Sequence, residues 1–282
     1  MAANMKEIKE RIDSVKNTSQ ITNAMNIVSS TKFKKFQILT LKSRSYAQAL
    51  DIAFDNLVAG LKGNKFVIFD GKTQVKKVGI IVMTSDRGLC GSFNSNTHRK
   101  LEEMRKKFQK ENKEISVITI GKKAKDYCKT RNIDVDSEYT QMIPETMFEK
   151  AKKISEDVVQ FYLDDYYDEV YLIYSKFVSA VEYNIQTEKL LPIEKKEGLP
   201  TKEYMFDEVL NAFIPQVLNI KLYQALLENS ASEHSARMSA MKQANDNAAD
   251  MIKKLEVQYN RERQGLITQE LTEIIGGSSG VQ

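Results

Sequence analysis

Residues 1–59 contain neither glycine nor proline, and a second such gap runs from Gln216 to Gln264. These two residues interrupt helices more strongly than any others, so their absence at both ends predicts two very long helices. At a rise of 1.5 Å per residue, some 50 residues make a helix of about 75 Å, several times the globular average. A helix of that length cannot be buried inside a small domain and needs a partner of its own. The four prolines, Pro144, Pro192, Pro200 and Pro215, all lie between the two gaps. The predicted order is therefore helix, mixed domain, helix, with segments 1–60, 61–205 and 206–282.

The second helix offers little to bury. Its stretch "NSASEHSARMSAMKQANDNAADMIKKL", Asn229–Leu255, is rich in alanine, serine, asparagine and methionine. Stepping alternately three and four residues from Val217 gives a seam of Ile220, Gln224, Leu227, Ala231, His234, Met238, Met241, Asn245, Ala248, Ile252, Leu255, Tyr259, Glu262 and Leu266. Eleven of these fifteen positions are apolar, the pattern of a coiled coil with a narrow interface. The first helix supplies a matching stripe: Ile8, Ile12 and Val15, then, after a slip in phase, Ile21, Met25 and Val28, then Phe33 and Phe36. The economical arrangement is one antiparallel pair made by the two ends of the chain, with the small and polar remainder of the stretch facing outward.

Between the ends the period changes. "KKVGIIVMTSDRG", "EISVITIG" and "DEVYLIYSKFV" read as buried strands, "NSNTHRKLEEMRKKFQKEN", "KKAKDYCKTR" and "ETMFEKAKKISEDVVQFYLDD" as helices, and the alternating "VEYNIQTEKLLPI" as a strand at a sheet edge. The expected fold class is α/β: a long antiparallel two-helix coiled coil from the N- and C-terminal segments plus a central Rossmann-like α/β domain. Gly60, Gly63, Gly71 and Lys195–Pro200 are the expected joints.

Chemistry is sparse. There are two histidines, His98 and His234, and two cysteines, Cys90 and Cys128, too few for a disulfide framework or a metal site and a fit to a reducing compartment. No apolar run reaches the roughly 20 residues that span a bilayer, and "MAANMKEIKERIDSVK" is charged from the outset. "TSDRGLCGSFN", Thr84–Asn94, places Gly88 and Gly91 between a strand and a helix. It matches neither the dinucleotide fingerprint nor a phosphate loop; capping by Asp86 and by Ser92 or Asn94 is the better reading. Cys90 is read as a small buried residue rather than a thiol activated at a helix start, and Asp164 with Asp165 as a helix end rather than a proton-transfer dyad. Lys6–Arg44 carries nine basic residues against Glu7, Glu10 and Asp13. Phe33 and Phe36 among Lys32, Lys34 and Lys35 fit a helix core face better than a base-stacking platform.

Three long motifs in order, "IKERIDSVKNTSQITNAMNIVSSTKFKKFQ", "TSDRGLCGSFN" and "ENSASEHSARMSAMKQANDNAADMIKKLEVQYNRERQGLITQELTEIIGG", resemble the γ subunit of F-type ATP synthase of the bacterial type, along essentially the whole chain. The resemblance implies a non-catalytic rotor of the central stalk, carrying torque between the membrane c-ring and the catalytic hexamer so that ion translocation is coupled to ATP synthesis or hydrolysis. It implies three α and three β subunits, ε and the c-ring as partners, with neither nucleic acid nor cofactor. It implies a peripheral place on the cytoplasmic face of the cell inner or plasma membrane, without insertion; the choice of H⁺ or Na⁺ belongs to the c-ring. By the family motif, Met25, Lys32, Arg237, Gln264, Thr268 and Glu270 are expected at partner contacts or in coupling, with Met25 close to Arg237. Asn245 and Gly265 depart from the usual threonine and alanine.

Overall fold

The structure, a computed structural model, describes residues 2–59, 67–194 and 207–279. In chain order the elements are α1 (Ala2–Ala59), α2 (Val67–Asp70), β1 (Lys77–Met83), α3 (Phe93–Lys110), β2 (Glu114–Ile120), α4 (Lys122–Thr130), β3 (Val135–Tyr139), α5 (Met147–Leu163), β4 (Glu169–Ser179), β5 (Glu182–Leu191) and α6 (Asp207–Ser279). They form two compact units, one of Met1–Val28 with Met238–Gln282 and one of Ser29–Arg237. Both long helices are continuous; α6 also contains Pro215, which the reading by punctuation placed outside the uninterrupted helix. The expected joints at Gly60, Gly63 and 195–200 lie outside the described residues.

In the first unit the two chain ends pair antiparallel. Ile8, Ile12 and Leu255 form its buried core, with Val15 and Tyr259 packed against them. Lys16 lies 3.9 Å from Glu256, Thr22 bonds Asn245, and Asn26 Nδ2 donates to the Met238 carbonyl at 3.5 Å; rising numbers on one helix meet falling numbers on the other. From Met241 to Leu266 the buried and half-buried positions of α6 are the predicted seam, with Ala244 the one addition.

The first helix corrects the expected stripe. One unbroken heptad is covered throughout, Ile8, Ile12, Val15, Ser19, Thr22, Asn26, Ser29, Phe33, Phe36 and Thr40, with no slip in phase; Met25, expected in the stripe, is half-buried beside it, as are Met5, Ser30, Gln37 and Leu39. Ile21 and Val28, expected in the seam, are 62% and 56% exposed. A continuous heptad has only one phase, so the small polar residues from Ser19 to Ser29 occupy it and the neighbouring isoleucines and valine point outward.

The second unit is built on a five-stranded sheet of order β3-β2-β1-β4-β5. β1 pairs in parallel with β2 and β4, β2 in parallel with β3, and β5 runs antiparallel along β4. Val78, Ile80 and Val82 join α3 and α4 in one core on one face. Ile81 and Met83 pack on the other with α5 and with Phe33, Phe36, Phe54, Val217, Leu222, Leu226 and Leu227 of the long helices. The parallel strands are nearly all apolar because helices cover both faces. β3 (VDSEY) is the strand that periodicity missed; as an edge strand it is only half-buried, so its sequence carries no apolar run.

Candidate functional site: a polar joint between sheet and long helices

β1 and β4 pair only as far as Val82 and Ile173, whereas β4 continues to Ser179 with β5 alone beside it. The overhang leaves main-chain groups without a neighbouring strand, and buried groups of that kind must find other partners. Side chains supply them. Asn229 Oδ1 accepts from the Ser175 amide at 3.2 Å, and Ser232 Oγ donates to the Ser175 carbonyl at 3.1 Å. Ser235 Oγ donates to the Ala180 carbonyl, and Arg44 Nη2 of α1 donates to the Phe177 carbonyl at 2.6 Å. Arg44 also donates from Nε to Glu228 at 3.0 Å, a carboxylate whose side chain is 1% exposed and which also receives Gln224 Nε2 at 3.2 Å. Its second oxygen has no hydrogen-bond partner among the described residues.

The serines and asparagine of "NSASEHSAR" are thus buried: Ala225–Ser232 are covered without a break. The expectation that this stretch bares a small polar face outward fails for its first third. A helix lying against a strand overhang has to present hydroxyls and amides, because apolar side chains would leave the strand edge unsatisfied.

One turn further on, Arg237 ties α6 to the Thr84–Asn94 loop. It is 6% exposed; Nε donates to the Gly88 carbonyl at 3.2 Å, Nη2 to the Arg87 carbonyl at 3.0 Å, and Nη1 to Glu233 at 2.7 Å. Nη1 also meets His234 Nδ1 at 3.3 Å, and the His234 ring stacks on Phe36 with centroids 5.5 Å apart. Burial, helped by Arg237 and Lys32, depresses the His234 pKa to about 3, so the ring is neutral and its Nδ1 accepts. Burial raises the Glu233 pKa against the pull of Arg237.

The loop is structural in its local bonding. Asp86 accepts from the Lys122 amide at 3.0 Å and the Gln141 amide at 2.8 Å, so it caps α4 rather than the helix that follows it in sequence. Ser92 precedes α3 without a side-chain cap bond, and Asn94 Oδ1 instead accepts from the Ser85 amide at 3.1 Å. Gly121, at φ +97°, brings the chain against Thr84; a Cβ there would lie 2.4 Å from the Thr84 carbonyl oxygen. Cys90 is buried, and burial pushes its thiol pKa up. Phe33 and Phe36 are core residues, Phe33 edge-on to Phe177 at 5.6 Å. Asp164 receives Gln160 at 2.9 Å at the end of α5, and Asp165 just beyond it pairs with Lys72 at 2.8 Å.

The positions expected from the resemblance are dispersed. Met25 is half-buried in the first unit, where Gln264, Thr268 and Glu270 are exposed on α6; Thr268 Oγ1 bonds back to the Gln264 carbonyl at 2.9 Å. Lys32 and Lys34 are exposed in the second unit, while Lys35 pairs with Glu145 at 2.7 Å. Arg237 is the one of the six with a dense set of bonds inside the chain. Residues Arg44, Glu228, Asn229, Ser232, Glu233 and Ser235 were missed by sequence reasoning, although Asn229, Ser232 and Ser235 recur at a three-residue spacing that puts them on adjoining turns.

The family model described as ATP synthase matches residues 4–281. The ATP synthase gamma chain of Fusobacterium nucleatum is 47% identical over 98% of this chain and 99% of its own. The chain belongs to the ATP synthase gamma chain family. A second member, from Geobacter metallireducens, is 38% identical over 99% of both chains. The fold is shared with a chain of the Euglena gracilis mitochondrial ATP synthase in its OSCP/F1/c-ring structure, at TM-score 0.74 and 20% identity over 99% of this chain and 95% of that one. A chain of the Tetrahymena thermophila central stalk/c-ring structure aligns at TM-score 0.59 and 26% identity, covering 79% of this chain and 99% of its own. No described helix is long and apolar enough to cross a membrane.

Proposed function

We propose that this gamma chain is a non-catalytic rotor: its paired helices turn inside a ring of three α and three β subunits, and its α/β domain rides with ε on the membrane c-ring. The observation that carries the reading is family membership over the full chain, supported by likeness to chains solved in F1/c-ring and central-stalk/c-ring assemblies. The segments 1–60, 61–205 and 206–282 serve as ascending helix, driven domain and returning helix. The complex sits at the cytoplasmic face of a bacterial cell membrane, with this chain peripheral to it.

Within that reading, the exposed Lys32, Gln264, Thr268 and Glu270 and the half-buried Met25 are the residues that meet the surrounding subunits. Lys32 and Lys34 offer an exchangeable electrostatic contact to acidic loops, weak enough to be broken at each step. Arg237 is engaged within the chain and acts on coupling through the loop it holds.

Co-expression with the α and β chains of the same genome tests this. The chain should enter one complex with them, that complex should hydrolyse ATP, and the isolated chain should not. Recovery of the chain alone on RNA, or ATPase activity without its partners, contradicts the proposal.

A further inference from the structure

The rotor reading requires twist to pass between the α/β body and the helices, and the second unit contains both sides of that connection. Two kinds of contact join them. The apolar core around Val217, Leu222, Leu226 and Leu227 resists separation, but apolar contact is non-directional and leaves sliding weakly opposed. Hydrogen bonds to main-chain groups are directional and hold a side chain to one register.

We propose that the four ties on the β4 overhang, from Arg44, Asn229, Ser232 and Ser235, are the positioning contacts that lock the long helices to the sheet against twist. Three features carry this. The ties end on main-chain groups of β4, at Ser175 and Phe177, and of the turn that follows it, at Ala180, so they bear on the sheet rather than on movable side chains. They come from both helices, and Arg44 joins α1, α6 and β4 in one contact through Glu228 and Phe177. The three from α6 are on buried side chains, with Ser232 and Ser175 wholly covered, so water competes little for those bonds and an unmade one is costly. The proposal rests on the rotor reading and adds to it where the stiffness resides.

The test uses the assembled α/β/γ complex, immobilised through β, with a bead on a cysteine replacing the exposed Lys129 of α4. Angular variance of the bead during catalytic pauses reports torsional stiffness. Ser232→Ala with Ser235→Ala removes two ties; since such bonds contribute comparable amounts, variance should rise about twofold. Leu222→Ala, which opens a cavity in the apolar core, should lower the melting temperature and leave variance at the parent value. Arg44→Lys, which keeps the charge beside Glu228 and loses the fork, provides the same reading should the double variant fail to assemble. Unchanged variance in assembled, rotating tie variants, or an equal rise in Leu222→Ala, overturns the proposal and leaves the rotor reading intact. Absence of any rotation in the parent complex would refute the rotor reading instead.

Discussion

Two stretches of the same helix use similar residues to opposite ends. From Met238 to Leu266, α6 covers the seam and little beyond Ala240 and Ala244, while Ser239, Asn247, Asn260 and the lysines face water. From Ala225 to Ser232 every residue is covered, and serine and asparagine are inside because a strand overhang needs their hydrogen bonds. Small polar composition therefore means bare surface in one place and a satisfied strand edge in the other. What decides is the neighbour, a lone helix or an unpaired strand, and that neighbour is distant in sequence.

The contrast can be broken at its strongest point first. Arg44→Met leaves the Glu228 carboxylate buried with only Gln224 beside it, and losing one member of a buried pair costs about 3–5 kcal/mol. Because Arg44 keeps some exposure, the lower end of that range is expected, read as a denaturant midpoint of the isolated chain. Next, Ser232→Ala should destabilise by about 1–3 kcal/mol through the unsatisfied Ser175 carbonyl. Ser239→Ala, exposed in the other regime, should stay within about 0.5 kcal/mol. Equal effects of the two serines would erase the distinction.

Acid sharpens it further. His234 is held neutral with its pKa near 3, while in the unfolded chain it protonates near the ordinary value of about 6.5. Stability from this group is complete above that pH and falls as pH drops from there through the folded value, by up to about 1.4 kcal/mol per pH unit. His234→Gln should flatten this part of the curve. Glu233, whose pKa is raised, acts with the opposite sign in both proteins, so the difference between the two melting curves isolates the histidine. The smallest effect belongs to the exposed coil: a Cβ on Gly265 meets nothing within 4 Å, so Gly265→Ala should stabilise by up to about 1 kcal/mol, seen as a higher melting temperature.

Much of the architecture was legible because its signals are local. Absent glycine and proline gave the long helices, the three-four step gave the covered face of α6 from Met241 to Leu266, and runs such as "GIIVM" gave the central strands. The first helix defeated the same method where Ser19, Thr22, Asn26 and Ser29 hold the seam, since the eye follows isoleucine and valine and those point outward. β3 escaped because an edge strand needs no apolar run. Arg237 was picked out by resemblance alone; its bonds to Arg87 and Gly88 join residues some 150 positions apart, a pairing that no spacing rule reaches.

The β4 overhang has a further consequence for the chain before it meets any partner. Unpaired strand edges are templates on which a second chain can add a strand, and proteins that leave them open are prone to aggregate. Here the edge from Ser175 to Ala180 is covered by side chains of α6 and α1, the parts of the sequence most distant from each other. The sheet is therefore fully protected only after α6 has folded back onto it, so a nascent chain stopped before Asn229 leaves Ser175 and Ala180 uncovered.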